Sequence, residues 1–194
     1  MDYKLKGKSM NILRTACAAL LCLAGTAQAF TLQGTMWERA SRASTCNPPV
    51  LLLYSLALQE SRTSAGKGMV RPHPYALRNA PSGSLYPATY DEANAHLSRF
   101  ISEDRLTDIG IMQINLRWNG HRVTDPSHLL QPETNIRVGA QILCEAIAAN
   151  KGDIELAIGG YHTMNPRREV DARQYARNVL LIWRALQKIE RKGA

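Results

Sequence analysis

The chain has 194 residues, a formal charge of +8 and four cysteines, and 45% of its residues are hydrophobic. That length suffices for one compact domain with a real core, and no long Pro, Gly or Ser linker divides it. The positive excess is diffuse, with no aromatic-interleaved basic stripe and no zinc-finger spacing. This argues against nucleic-acid binding and leaves anionic surfaces such as cell-wall polymer or phospholipid headgroups.

The first 29 residues read as an export signal. Lys4, Lys6, Lys8 and Arg14 form a positive front, "ACAALLCLAGTA" supplies a short apolar centre, and "AQA" at 27–29 ends in the small residues a signal peptidase accepts. The apolar centre falls short of the roughly 20 residues needed to span a bilayer. The sequence therefore predicts a signal peptide over 1–29, cleaved near Ala29, and one exported, periplasmic domain over 30–194 with no integral membrane segment. Cys17 and Cys22 leave with the signal, so Cys46 and Cys144 remain. An even pair in an oxidising compartment predicts a disulfide, with two separately buried thiols as the alternative.

"TMWE" at 35–38 has the form of a capping box opening a short helix to about Ser44, in which Thr35 would accept from the backbone of Glu38 and Glu38 would reach back. After "CNPP", with Pro49 as a first-turn residue, "VLLLYSLALQE" is apolar on most of its circumference and predicts a helix buried at the centre. From Gly66 to about Pro87, Gly, Pro and Asn recur, and "PYALRNAPSGSLYP" fits two short strands joined by a turn. "YDEANAHLSRFI" returns to helical spacing, with Ala93, Leu97 and Ile101 four apart. "DIGIMQINLRW" is neither plain helix nor plain strand. "ETNIRVGAQILCEAIAAN" predicts an amphipathic helix ending near Gly152, and Asp153 caps a short one to about Tyr161. "EVDARQYARNVLLIWRALQKIE" closes the domain with Tyr175, Val179, Ile182, Leu186 and Ile189 on one apolar face. The fold class is thus α+β, predominantly α, in a single domain with a small β-hairpin.

Glu60 stands out at the end of the most apolar helix. A helix's C-terminal end carries partial negative charge from its unpaired carbonyls, so an acid there is disfavoured, and burial raises its pKa further. A carboxyl group that stays protonated near neutral pH can donate a proton to the leaving oxygen of a glycosidic bond. The bland alternative is a glutamate pointing into water at a frayed terminus.

Three blocks in order decide between these: "ALQES", "DIGIMQIN" and "AIGGYH". Together they resemble the helix-ending Glu-Ser, the Gly-Leu-Met-Gln block and the Ala-Tyr-Asn block of the lytic transglycosylases with a goose-type-lysozyme-like domain. The stretches "HPYALRN" to "EANAHL" and "NIRVGAQIL" look like the subgroup that accompanies conjugation and type IV secretion machines. The resemblance spans most of residues 36–185. It implies a lysozyme-like fold, cleavage of peptidoglycan glycan strands with formation of a 1,6-anhydro ring, and no cofactor or metal. It also implies Glu60 as the single general acid and base, with Ser61 lining the site and Gly110 allowing close approach of the sugar. Met112 and Gln113 would form a wall and a polar contact of the groove, and Tyr161 would sit near Glu60. Each has a plainer reading: Met112 as core, Tyr161 as packing, Ser61 as a helix-end residue.

Three departures from the family pattern are visible. His162 stands where Asn is frequent, Ile111 replaces the usual Leu, and the segment from 62 to 107 is longer than the minimal pattern. Ordinary glycosidases use two carboxylates. Asp108 is the candidate for a second, and if it faced Glu60 a hydrolytic muramidase becomes the rival. A noncatalytic wall-binding scaffold is the rival from another class. His73, His96, His121, His128 and His162 show no ligand spacing on one helix face, so no metal site is predicted.

Overall fold

The computed structural model describes residues 30–193, and the expected leader lies outside them. Helix α1 (Met36–Ala43) leads through the Cys46 turn into α2 (Val50–Ser61). Eight of the twelve α2 residues are buried, Leu53, Leu56 and Ala57 completely, because a segment apolar all round has no face to give to water. Ser55, also on the inside, satisfies its hydroxyl by donating to the Leu51 carbonyl oxygen at 2.6 Å.

Around α2 the chain builds a helical frame of α1, α5 (Pro132–Ala149), α6 (Ile154–Gly159) and α7 (Glu169–Gly193). The interface between α6 and α7 is close, since a Cβ on Gly159 would collide with the backbone of Ala172. Asp153 caps α6 by accepting from the Leu156 amide at 2.9 Å. On α7, Ala172, Tyr175, Ala176, Val179 and Leu186 face the core, whereas Ile189, expected on the same stripe, is 51% exposed. The helix has run past the domain by that point.

The segment between α2 and α5 carries the β-structure. Strands β1 (Arg62–Gly66) and β2 (Met69–Pro72) form an antiparallel ribbon on their own. A second sheet has the order β4-β3-β5-β6, from β3 (Leu77–Asn79), β4 (Gly83–Leu85), β5 (Asp108–Ile109) and β6 (Ile114–Asn115), all neighbours antiparallel. The predicted hairpin is β3–β4. The β1–β2 ribbon was not predicted, because its residues lack the alternation of a half-buried strand and are exposed on both faces. Helix α3 (Tyr90–Glu103) packs on β3 and starts at Thr89, whose hydroxyl accepts from the Glu92 amide at 3.2 Å. Helix α4 (Leu116–Asn119) and two 3-10 turns, Gly120–Arg122 and Pro126–Leu130, complete the path to α5.

The cap of α1 differs from the expected box. Thr35 makes no side-chain bond to Glu38 and instead donates to the Leu32 carbonyl oxygen, while Glu38 accepts from the Gly34 amide at 2.8 Å. The carboxylate reaches one residue further back, because the turn at Gly34 (φ +71°) folds that amide toward it. Cys46 and Cys144 are joined as a disulfide with Cα atoms 5.4 Å apart, tying the exit of α1 to α5 across 98 residues of sequence.

Candidate active site

Glu60 sits in the last turn of α2, where chain direction fixes it against the helix's negative end. The residue as a whole is only half-buried, yet protein atoms crowd its carboxyl group, so bulk water scarcely solvates the acid. Burial pushes its pKa up to about 7. The Tyr175 hydroxyl opposes this by donating to Oε1 at 2.6 Å, the Asp108 charge adds to the rise, and Arg78 counters it.

Tyr175 projects from α7 toward the same carboxyl group. Its ring lies nearly parallel to that of His162, with centroids 5.0 Å apart, and to that of Tyr161, at 6.5 Å. Burial and the Glu60 charge hold both phenols well above the usual tyrosine range, so each stays a hydrogen-bond donor. Tyr161 spends its hydroxyl on the Met112 carbonyl oxygen at 2.7 Å. It is near enough to feel the Glu60 and Asp108 charges, but the phenol bonded to Glu60 is Tyr175. The sequence reading placed Tyr175 on the apolar face of the last helix. Its position on that stripe was legible, and the polar use of its tip was not.

The 110–113 turn forms the opposite side. Gly110 (φ +77°) and Gln113 (φ +47°) both take left-handed backbone conformations. A Cβ on Gly110 would run into the Asn135 amide and the Leu129 carbonyl, so the close approach that this glycine permits is to the protein's own interior. That differs from the expected approach of the sugar. Asn135, fully buried on α5, clamps the turn. Its Oδ1 accepts from the Met112 amide at 2.8 Å, and its Nδ2 donates to Ile109 and Leu129 carbonyls at 2.8 and 2.7 Å. The sequence signal for Asn135 was an amide on the inward face of an amphipathic helix, which burial demands be fully bonded.

Met112 and Ser61 are placed differently from expectation. The Met112 side chain is completely buried against Gly139, where it belongs to the core. Ser61 is 1% exposed, donates to the Ile111 carbonyl oxygen at 2.7 Å and accepts from the His73 amide at 3.1 Å. It thus fastens the end of α2 to the 110–113 turn and to the foot of the ribbon, and holds Glu60 in place from behind. Gln113 is half-buried and donates to the Ala76 and Gly110 carbonyls at 3.1 and 2.9 Å. Its Oε1 remains accessible and unpartnered among the described residues.

Asp108 is the second carboxyl of the site. Its Oδ1 accepts from Asn115 at 2.8 Å and its Oδ2 lies 3.5 Å from Arg78, while burial pushes its pKa up. The other side of the Asn115 amide, Oδ1, is buried without a protein partner among the described residues. Among those residues no group of three His, Cys, Asp and Glu side chains is placed to hold a metal ion, and no helix is long and apolar enough to cross a membrane.

Chemically, the arrangement offers one acid whose burial lifts its pKa to about 7, a phenol that favours that acid's ionised form, and a second carboxyl that accepts from Asn115 and pairs with Arg78. Residues 35–178 match the family model described as "Transglycosylase SLT domain", a span that includes every residue discussed above as part of the site. Neither the comparison with curated proteins nor that with solved structures returned a match.

Proposed function

We propose, from the premise that the chain belongs to the transglycosylase SLT family and is a lytic transglycosylase of peptidoglycan, that Glu60 alone performs both proton transfers of the reaction. Protonated, it gives its proton to the oxygen linking N-acetylmuramic acid to N-acetylglucosamine. As carboxylate, it then takes the proton of the muramic 6-hydroxyl as that oxygen closes on the anomeric carbon, forming the 1,6-anhydro ring and restoring the acid. No water enters, and the atoms balance within the cleaved strand.

The geometry that carries this reading is a carboxyl group crowded by protein atoms at the end of α2 and bonded by the Tyr175 hydroxyl at 2.6 Å, where burial lifts its pKa to about 7, near the pH at which one group serves as both acid and base. Tyr175 supports the second half of the cycle by stabilising the carboxylate. Asp108 has both oxygens occupied, which favours its acting on Glu60 through charge over its serving as a separate base for water. The hydrolytic reading rests on Asp108 alone. Mass spectrometry of the fragments released from purified sacculi separates the two: anhydro-muramic ends are expected, and reducing ends would overturn the proposal. Replacing Glu60 with Gln should abolish release while leaving wall binding, which a noncatalytic scaffold would not predict.

The setting rests on the sequence resemblance, not on the chemistry of the site. We place the enzyme outside the cytoplasm after cleavage near Ala29, a reading supported by the Cys46–Cys144 bond, which an oxidising compartment maintains. Its role is to open the wall locally for a conjugation or secretion apparatus, as the 73–97 and 135–143 stretches suggest. Cells whose only copy carries Glu60→Gln should then lose transfer through that apparatus, and unchanged transfer would dismiss the role.

A further inference from the structure

From Ser61 to Tyr90 the chain contains no Asp or Glu, yet it carries Arg62, Lys67, Arg71 and Arg78. This acid-free run begins directly after Glu60. Only Arg78 has an ion-pair partner, Asp108; among the described residues Arg62, Lys67 and Arg71 are in none. Those three cations belong to the β1–β2 ribbon, a two-stranded sheet whose residues are exposed on both faces except at its foot. Such a ribbon is marginal in water unless something else holds it.

The register shows how the ribbon is decorated. Arg62 pairs with Pro72 and Ser64 with Val70, so Arg62 and Val70 share one face; Arg71 and Met69 share the other. Met69 and Val70 are 58% and 49% exposed. Each face therefore sets a cation beside an uncovered apolar side chain. At the tip, Gly66, Lys67 and Gly68 all have positive φ, and Lys67 adopts at +50° a conformation that glycine or asparagine takes at lower cost.

We propose that this ribbon is a docking arm for the carboxylates of the peptide stems that hang from the glycan strand. The inference rests on the reading of peptidoglycan as the substrate of the Glu60 site, and it adds that the enzyme grips stem-bearing glycan electrostatically, beside the bond it cleaves. The anchor of the ribbon, the Ser61 contacts to His73, is also the anchor of Glu60, so a stem held by the arm is held in register with the acid. Charge complementarity of this kind is lost as salt screens it.

The test uses binding, so that it stands apart from the chemistry of the reaction. Chains carrying Glu60→Gln are cosedimented with intact sacculi and with sacculi whose carboxylates have been converted to neutral amides. At low salt the intact material should bind about fivefold tighter or more, given three exposed charge contacts. The triple change Arg62→Ser, Lys67→Ser, Arg71→Ser should bring the ratio to about one. The single reversal Lys67→Glu, at an exposed tip that bears no packing, should lower it in a chain with unaltered thermal melting. The charge-matched control Arg137→Ser, Lys151→Ser, Arg184→Ser should keep the full ratio. Equal binding to both materials, a ratio that survives the triple change, or an equal collapse in the control would each overturn the arm. Hydrolytic products in the fragment spectrum would overturn the proposed chemistry and leave the binding ratio untouched.

Discussion

Replacing Tyr175 with Phe removes one atom from the site. The ring remains to stack on His162, so packing is preserved, while the 2.6 Å hydrogen bond to Glu60 Oε1 disappears. That bond favours the ionised carboxyl and holds its pKa below where burial alone would set it. A hydrogen bond to a charged group contributes about 1.5–3 kcal/mol, and about 1.4 kcal/mol corresponds to one pH unit, so its loss should raise the pKa by about one to two units. The protonated acid starts the reaction, so activity falls as pH rises through this pKa. The alkaline limb of kcat/KM, near pH 7 in the parent, should therefore move upward by about one to two pH units in the variant. Under the same logic kcat at pH 6 should fall, since the carboxylate needed for ring closure has lost its stabilising donor. The assay is release of soluble fragments from sacculi across pH 5–9. An unmoved limb with uniformly lower activity would mean that Tyr175 only packs, and a limb displaced toward acid would refute the assigned direction of proton linkage.

Glu60→Gln should stabilise the protein at alkaline pH. The acid's pKa is about 7 folded against an ordinary 4.5, so its contribution to stability is greatest below pH 4.5 and declines as pH rises to 7, by at most about 3 kcal/mol. Melting curves should show the variant several degrees above the parent at pH 8 and level with it near pH 4; coincidence at both would mean that the carboxyl is well solvated. Replacing Cys46 and Cys144 together with Ala should cost about 2–5 kcal/mol in urea unfolding, as expected for a bridge closing a long loop, and a cost below 1 kcal/mol would show that α1 and α5 hold without it.

The helices were legible because their signals are local. The all-apolar run of α2, the capping residue Asp153, and the spacing of Ala93 and Leu97 each act within a few positions. The acid's placement at a helix end can be read from its neighbours, but its role was legible only through the three ordered blocks that carry the family resemblance. What escaped depends on distant partners. Tyr175 has the spacing of a packing residue, and only the meeting of α7 with α2 shows where its hydroxyl points. Met112 and Ser61 look like groove residues in a motif, but the 110–113 turn and the Asn135 clamp face the first inward and consume the second's hydrogen bonds. The β1–β2 ribbon went unseen because no buried face imposes a period on it.

The tyrosine that completes the acid lies 115 residues downstream of it, on α7. A polypeptide truncated ahead of that helix would carry its carboxyl group without its phenol and with the α2 flank uncovered. The cutting centre therefore exists only where α7 is packed on α2, and the two halves of the acid–phenol pair depend on that one helix–helix interface.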